Sequence, residues 1–351
     1  MPRWWSGCGK GSSMSKRIKC LVWDLDRTLW EGTLTEGGGV VLRDGVRETL
    51  EELDKRGILF SIASKNESGP ALRRLEELGI ADYFLCPEIS WDGKAEGIRR
   101  IAETLNLKLD AFALIDDSVF ERDAVQYALP SVSVYPETAV KTLPTLPEFS
   151  PRFVTEDSRN RRRMYQADLV RRKAKEHCDS EEEFLRTLDI HATLRPVGEE
   201  DLQRVEELTI RTHQLNSTGY TYSYDELVEL TRSPGYIFQV CGLRDKYGDS
   251  GKVGLLLLKE DADALTVKLL IVSCRVMAYG VGSALLTHAI RMAAERGKRL
   301  RAEFLETEHN RIMYVTYKFA GFEEIEEQGE RLLLEYRGEG VPALPDYITW
   351  D

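Results

Sequence analysis

The stretch Val22-Trp-Asp-Leu-Asp-Arg-Thr-Leu-Trp30 decides how the first half of the chain folds. An apolar run, residues 20–23, ends in two carboxylates, Asp24 and Asp26, and Thr28 follows two residues later. This order predicts a buried strand whose C-terminal end carries two aspartates into a crevice. A strand that ends in an ordinary polar turn is the alternative, and three matching segments further along the chain favour the crevice.

Composition limits the class of protein. With 351 residues, 42% of them hydrophobic, the chain is long enough for two ordinary domains. The net charge of −11 argues against a general nucleic-acid binder. No apolar run reaches about 18 residues, so we predict no membrane span. Residues 1–16 lack the apolar core of a signal peptide and are expected to form a disordered leader. The scattered cysteines predict neither a disulfide framework nor a zinc site, and we expect a cytoplasmic protein.

Apolar strands alternate with amphipathic helices from residue 20 to residue 135, which predicts a parallel sheet covered by helices. The predicted strands are 19–24, 57–63, 82–86, 111–115 and 131–135, and the predicted helices are 44–56, 68–79, 93–105 and 118–128. In such sheets the chemistry lies at the carboxyl ends of the strands. Four of these ends carry polar residues: Asp24 and Asp26, Ser64-Lys65-Asn66, Lys94 just inside a helix, and Asp116-Asp117.

These residue types fit phosphoryl transfer. Asp24 can attack phosphorus, while Asp26 can protonate the leaving oxygen and later activate water. Two anions repel a phosphate, so a cation is required. We predict Mg²⁺ held by Asp24, the Asp26 carbonyl and Asp116 or Asp117. Ser64 and Thr28 are the predicted phosphate-binding hydroxyls, and Lys94 can neutralise the charge left over.

Each segment also has a structural alternative. Ser64-Lys65-Asn66 fits a helix N-terminus, because Ser and Asn favour caps. Asp116-Asp117 could cap the helix that follows, and Lys94 alone fits a solvated helix lysine. The order of the segments and their placement after successive strands favour the joint catalytic interpretation.

At these positions the sequence resembles the haloacid dehalogenase superfamily of phosphotransferases. Asp24-Leu-Asp-Arg-Thr resembles its first motif, Ser64 its second, Lys94 its third and Asp116-Asp117 its fourth. The spacings between these motifs leave no room for a large cap domain. We therefore expect an open site that suits a large or protein-borne substrate.

Longer stretches resemble the narrower FkbH-like family of glyceryl transferase/phosphatases in polyketide pathways. They are residues 19–30, 42–50, 61–66 and 115–122. The resemblance implies that a glyceryl unit from 1,3-bisphosphoglycerate is loaded as a thioester on a holo acyl carrier protein, and that its remaining phosphate is removed. Arg27 and Ser118 depart from the family's usual pattern, but neither is a proposed chemical group.

A proline-rich stretch, 136–152, is followed by a predicted basic helix at about 155–176. Its cationic residues are Arg159, Arg161, Arg162, Arg163, Arg171, Arg172, Lys173 and Lys175. A solvated helix face is one interpretation. The other is a landing site for an acidic carrier protein, steered by electrostatics.

The second half has an α+β pattern, in which a strand at 264–272 runs into a glycine-containing turn and a helix at 282–296. Gly280 and Gly282 at a helix N-terminus predict a pyrophosphate site, with a close-packed turn as the alternative. Residues 310–322 resemble the closing motif of Gcn5-related N-acetyltransferases (GNAT). The resemblance implies that Asn310 and Tyr317 face the thiol end of an acyl donor.

Three residues before Gly280 stands Met277, where the GNAT pattern has Gln or Arg. We therefore expect the carrier's phosphopantetheine arm in this cleft rather than acetyl-CoA. Cys274 lies where the strand opens into a helix N-terminus, beside Arg275, and both features favour the thiolate. Cys274 is either the glyceryl acceptor or a structural cysteine. Asn216 is a further candidate for hydrogen bonding to the glyceryl or pantetheine group.

The predicted fold class is α/β: a haloacid dehalogenase-like doubly wound parallel sheet with a minimal cap, then a helical connector and a GNAT-like α+β domain. The predicted borders are 1–16 for the leader, 17–150 for the phosphatase domain, 151–190 for the connector and 191–351 for the acyl- or carrier-binding domain. Two other functions stay open. The phosphatase could be fused to an independent N-acetyltransferase, or the second domain could only recruit the carrier.

Overall fold

The structure, a computed structural model, describes residues 17–34 and 39–351. The predicted leader, 1–16, lies outside the described residues. The chain divides into two compact units, Met1–Gln166 and Ala167–Asp351. This division falls inside the predicted connector.

Parallel strands and covering helices build the first unit. Its strands are β1 (Cys20–Trp23), β2 (Trp30–Glu31), β3 (Val41–Leu42), β4 (Leu59–Ser64), β5 (Glu88–Ile89), β6 (Phe112–Asp116) and β7 (Ser133–Pro136). Its helices are α1 (Val46–Lys55), α2 (Ser68–Glu77), α3 (Lys94–Leu105), α4 (Val119–Ala128) and α5 (Glu156–Arg159); α6 (Arg161–Lys175) runs on into the second unit. The main sheet has the order β5-β4-β1-β6-β7, and its neighbouring strands are parallel.

The sequence pattern explains this sheet. All four residues of β1 are buried, as a central strand covered on both faces requires. The predicted apolar stripe of α3 is buried as well: Ile98, Ile101, Ala102 and Leu105. Helices α1 to α4 begin and end within two residues of the predicted bounds. Between Thr28 and β4 the described residues hold only the short β2–β3 hairpin and α1, in agreement with the predicted minimal cap.

The predicted strand at 82–86 is wrong. Residues Ala81–Tyr83 form a 3₁₀ turn, and the strand beside β4 is the shorter β5. The apolar run is nevertheless buried, because Phe84 packs in the core. Leu85 N donates to Phe60 O at 2.8 Å. Cys86 then adopts a left-handed conformation, φ 39°, which ends any extended run.

One mixed sheet forms the second unit. Its strands are β8 (Ile190–Pro196), β9 (Tyr236–Asp245), β10 (Gly248–Glu260), β11 (Ala264–Val272), β12 (Arg299–Leu305), β13 (Phe322–Gln328), β14 (Arg331–Tyr336) and β15 (Ile348–Trp350). Its helices are α7 (Glu181–Arg186), α8 (Leu202–Arg211), α9 (Tyr224–Arg232), α10 (Val281–Glu295) and α11 (Arg311–Phe319). The strand order is β13-β14-β12-β11-β10-β9-β8-β15. The predicted fold class, a parallel α/β sheet followed by an α+β domain, is confirmed.

Two neighbouring strands of this sheet, β11 and β12, separate along their length. β11 and β12 are parallel and pair only from Ala264↔Arg299 to Val267↔Ala302. Beyond that point the segment 215–217 fills the gap: Val272 N donates to Leu215 O, Ser217 N to Leu270 O, and Leu305 N to Ser217 O. These bonds satisfy backbone groups that the separation would otherwise leave buried and unpaired.

The turn that joins β11 to α10 depends on one glycine. Gly280 is the N-cap of α10 with φ 70°, in the left-handed region. A Cβ there would lie 2.9 Å from Tyr347 Oη, whereas a Cβ on Gly282 would meet Val272 at an ordinary 3.6 Å. Of these two glycines, therefore, only Gly280 has a backbone conformation that requires glycine.

We expect Gly280→Ala to lower the free energy of unfolding by about 1–2 kcal/mol, because an alanine is strained in the left-handed region. The matched control, Gly282→Ala, should be neutral or stabilising by up to about 1 kcal/mol, since alanine is the better helix former. Denaturant unfolding measures both. Equal losses in the two variants would contradict this account of the turn.

Candidate active site

The carboxyl ends of β1, β4 and β6 bring the predicted catalytic residues to one edge of the sheet. Trp23 is in register with Ile62 and Ile115, so Asp24 lies between the ends of its two neighbours. The backbone N–H of Asp24 donates to Ile115 O at 3.0 Å. This parallel register places Asp24 next to Asp116, although the two residues are far apart in sequence.

Three carboxylates converge at this edge. One ligand atom from each of Asp24, Asp116 and Asp117 lies within 4.8 Å of the others. Asp24 and Asp116 are buried, with exposed fractions of 5% and 0%. Oxygen ligands with this charge fit Mg²⁺, which supports the predicted cofactor. The carboxylate of Asp26 is not in the cluster; the predicted ligand from that residue was its backbone carbonyl.

Lys94 connects two of the carboxylates. Its Nζ lies 2.7 Å from Asp24 Oδ1 and 2.5 Å from Asp116 Oδ2. Burial by itself would lower the pKa of Lys94, but the two carboxylates outweigh it and raise that pKa, so the ammonium form is kept. The alternative of a solvated helix lysine is therefore wrong.

Burial raises the pKa of Asp24 to about 6; the charge of Lys94 lowers it and the charge of Asp116 raises it. Burial is also the largest cause that raises the pKa of Asp116. A divalent cation between these carboxylates would favour their ionised forms. Lys94 therefore does not neutralise all of the negative charge of these carboxylates when they are ionised, and a cation would be favourable here.

Ser64 and Asn66 follow β4 at the same edge. Asn66 Nδ2 lies 3.4 Å from Ser64 Oγ and 3.1 Å from Asp26 Oδ2. The helix-cap alternative for this segment is wrong, because the N-cap of α2 is Glu67. Asn66 is not among the catalytic residues predicted from the sequence. Its position two residues after Ser64 is the sequence feature that could have indicated a place in the site.

Thr28 contacts two of the three clustered aspartates. It is fully buried, its hydroxyl accepts from Asp117 N at 2.9 Å, and its Oγ1 lies 3.3 Å from Asp24 Oδ2. These bonds orient the two aspartates, and the phosphate contact of Thr28 stays a prediction. The cap of α4 is Ser118, whose N–H donates to Asp116 Oδ1 at 2.9 Å.

Asp26 has its own set of donors. Its carboxylate accepts from Trp30 Nε1 at 2.8 Å and from Leu34 N at 3.0 Å, besides Asn66. Trp30 is not among the functional residues predicted from the sequence. Its position four residues after Asp26 is the sequence feature that could have indicated this contact.

In the second unit, Cys274 is half-buried and opens a six-residue 3₁₀ stretch, Cys274–Tyr279. The long helix α10 begins only at Val281, so the predicted helix N-terminus at Cys274 is corrected. The dipole of α10 therefore does not act directly on this thiol. Arg275 Nη2 donates to Ser250 O at 3.1 Å. Gly280 and Gly282 are the residues at the N-terminus of α10.

The side chains of Asn216, Asn310 and Tyr317 are each fully buried. Asn216 Oδ1 accepts from Thr218 N and Gly219 N, and Asn310 Nδ2 donates to Asn216 O and Leu305 O. Tyr317 packs its ring against Phe304 and Phe322. The two asparagines thus bond to the backbone and the Tyr317 ring packs in the core, while their contacts with an acyl group stay predictions.

The predicted basic helix is less exposed than its composition suggests. Arg162 forms an ion pair with Asp54 in the first unit, and in the second unit Arg171 pairs with Asp245. Arg171 is 4% exposed. The exposed cations of α6 are Arg163, Arg172, Lys173 and Lys175.

Part of the first unit is similar to a known family of hydrolases. Residues 32–128 match the family model of haloacid dehalogenase-like hydrolases. The N-terminal part of a Bacteroides fragilis protein, containing a phosphatase domain and solved in complex with Mg, is 31% identical over 39% of this chain and 41% of that one, with a TM-score of 0.34. The chain thus spans less than half of that structure.

Two N-acetyltransferases are also among the similar structures. One, from Thermoplasma acidophilum in complex with coenzyme A, is 17% identical over 41% of this chain and 98% of its own, with a TM-score of 0.34. The ribosomal-protein-S18-alanine N-acetyltransferase of Escherichia coli is 17% identical over 43% and 99%, with a TM-score of 0.33. A search of curated proteins gives no significant match. Residues 32–128 of the first unit are thus similar to haloacid dehalogenase-like hydrolases.

We expect Lys94→Met to destabilise the first unit by about 3–5 kcal/mol in EDTA, because two buried carboxylates lose their counter-charge. Mg²⁺ should restore part of this loss. The control, Lys65→Met, removes a partly exposed pair with Glu121 and should cost no more than about 1 kcal/mol. Thermal unfolding with and without Mg²⁺ measures both, and similar losses would contradict the bridging role of Lys94.

Proposed function

We propose that the protein is a Mg²⁺-dependent glyceryl transferase/phosphatase. It takes the glyceryl unit of 1,3-bisphosphoglycerate, removes its ester phosphate and loads the unit as a thioester on a holo acyl carrier protein. The observation that carries the phosphatase half is the buried cluster of Asp24, Asp116 and Asp117 with Lys94 across it. The FkbH-like motifs support the substrate and the partner.

The chain's own residues account for hydrolysis of the ester phosphate in two steps. An oxygen of Asp24 attacks phosphorus, and the bond to the leaving oxygen breaks as Asp26 donates a proton to that oxygen. Water then attacks the phosphoaspartate, Asp26 takes up its proton, and Asp24 is released with inorganic phosphate. Lys94 and Ser64 stabilise the phosphoryl oxygens. Bound Mg²⁺ supplies additional positive charge for the phosphoryl group.

The acyl phosphate of the same substrate is chemically different, because a thiol can displace its phosphate directly. In the proposal the Cys274 thiolate attacks the acyl carbon and releases inorganic phosphate. The thiol of the carrier's phosphopantetheine arm then takes over the glyceryl group and regenerates Cys274. The N-terminus of α10 at Gly280 is the proposed binding place for the arm's phosphate, since helix N-terminal N–H groups favour anions.

A second candidate function is a phosphatase fused to an independent N-acetyltransferase. The glycine turn at the N-terminus of α10 favours it, because such a turn suits the pyrophosphate of coenzyme A equally well. It predicts acetyl-CoA turnover without any carrier. Met277, 42% exposed, stands where that pattern has Gln or Arg and weighs against it.

Replacing Asp24 by Asn should lower phosphate release by at least about 10³-fold, because the nucleophile is removed. Asp123→Asn on the exposed face of α4 is the matched control and should keep wild-type activity. Phosphate release from the phosphoglyceryl substrate in Mg²⁺ measures both. Persistent activity in Asp24→Asn would mean that the nucleophile has been misassigned.

Loading is tested by intact-protein mass spectrometry of a holo carrier incubated with enzyme, Mg²⁺ and 1,3-bisphosphoglycerate. We expect a glyceryl mass gain with wild type and with the control Cys178→Ser, another half-buried cysteine. Cys274→Ser should abolish the gain, because a serine hydroxyl is a poor nucleophile at neutral pH. A mass gain that survives in Cys274→Ser would exclude Cys274 as the acceptor. The absence of a mass gain with the wild-type enzyme would contradict the proposal.

A further inference from the structure

Among the residues that the structure describes, three N–H groups donate to the carboxylate of Asp26. Two of them reach the same oxygen: Trp30 Nε1 and Leu34 N donate to Oδ1 at 2.8 and 3.0 Å. The third, Asn66 Nδ2, donates to Oδ2 at 3.1 Å. Such a set of directed donors fixes the plane of the carboxyl group as well as its position.

The fold of the chain after β1 produces this arrangement. Leu29 N and Trp30 N both donate to Leu25 O, at 2.9 and 3.3 Å, so the chain reverses immediately after Asp26. Trp30 then forms a bridge back to Asp26 and pairs with Leu42 in the β2–β3 hairpin. Its ring is fully buried in the core. The indole N–H is therefore aimed at Asp26 by packing on all sides.

The two carboxylate oxygens are not equivalent in this environment. Each has two lone pairs, and on Oδ1 both are used by N–H donors. On Oδ2 one is used by Asn66, and no other donor from residues 17–34 or 39–351 takes the second lone pair, which can therefore hold a proton. The same Asn66 amide lies 3.4 Å from Ser64 Oγ, so Oδ2 is the oxygen on the side of a phosphate-binding residue.

We propose that Trp30 is a positioning residue that saturates Oδ1 of Asp26, so that Oδ2 alone exchanges protons with the leaving group and the attacking water. This inference rests on the proposed phosphatase function. Trp30 itself does not touch the substrate. In the first step the proton moves from Oδ2 to the leaving oxygen as its bond to phosphorus breaks, and in the second step it moves from water to Oδ2.

The chain contains a matched control for this role. Trp23, in β1, is also fully buried in the same core. Within the part of the chain that the structure describes, its Nε1 has no hydrogen-bond partner. Replacing either tryptophan by phenylalanine removes a similar volume, but only at position 30 does the change remove an N–H from Asp26. A purely structural role would make the two variants alike.

The experiment compares Trp30→Phe and Trp23→Phe on two phosphate esters, with the formation of the phosphoenzyme followed by rapid quench. 3-Phosphoglycerate releases an alkoxide, which needs a proton from Asp26, whereas 4-nitrophenyl phosphate releases a stable phenolate. We expect Trp30→Phe to slow the alkyl ester by about 10-fold or more, a part of what a general acid contributes. The aryl ester should slow much less, KM should change little, and Trp23→Phe should not discriminate between the esters.

A benzothienylalanine at position 30, in which sulfur replaces the N–H at nearly constant shape, gives the same test if Trp30→Phe does not fold. A wild-type enzyme that cleaves both esters, with no selective loss in either position-30 variant, would overturn the role of Trp30 and leave the phosphatase function standing. A wild-type enzyme that cleaves neither ester overturns both. Selective loss on the alkyl ester, absent in Trp23→Phe, supports the inference.

Discussion

The first unit depends on Lys94, a buried ammonium group between two buried carboxylates. Carboxylates held as closely as those of Asp24 and Asp116 repel each other strongly in a low-dielectric environment. Lys94 is the first residue of α3, where the helix dipole is unfavourable for a cation. The two carboxylates outweigh that local cost. β1, β6 and α3 must therefore pack together in one arrangement for any of the three charges to be buried.

Two aspartates that are two residues apart obtain different roles from this packing. Asp24 lies among carboxylates and one ammonium group, beside the place where a cation fits. Asp26 lies among N–H donors from Trp30, Leu34 and Asn66. In the proposed mechanism these different surroundings suit the two carboxyl groups to different functions, one as nucleophile and one as acid and base. The tight reversal after Leu25 separates the two environments.

In the second unit, β11 and β12 are paired only from Ala264↔Arg299 to Val267↔Ala302 and separate beyond that point. Backbone from the segment 215–217 closes one part of the gap, which is why Asn216 and Asn310 are used as internal hydrogen-bond partners. Cys274 lies outside this hydrogen-bonded segment, in the turn that leads to the N-terminus of α10. Gly280 shapes this turn because no other residue adopts its conformation without strain.

The sequence by itself determined the fold class, the helices of the first unit and the catalytic edge of its sheet, because apolar periodicity and the ends of parallel strands follow local rules. Lys94 and Asp24 could be predicted to meet for that reason. Sequence patterns could not show that Thr28 turns toward Asp117, that Trp30 reaches Asp26, or that Asn216 and Asn310 are bonded internally. Those outcomes depend on which hydrogen-bond partners lie within about 3 Å once distant segments have packed, and only the tertiary structure decides that.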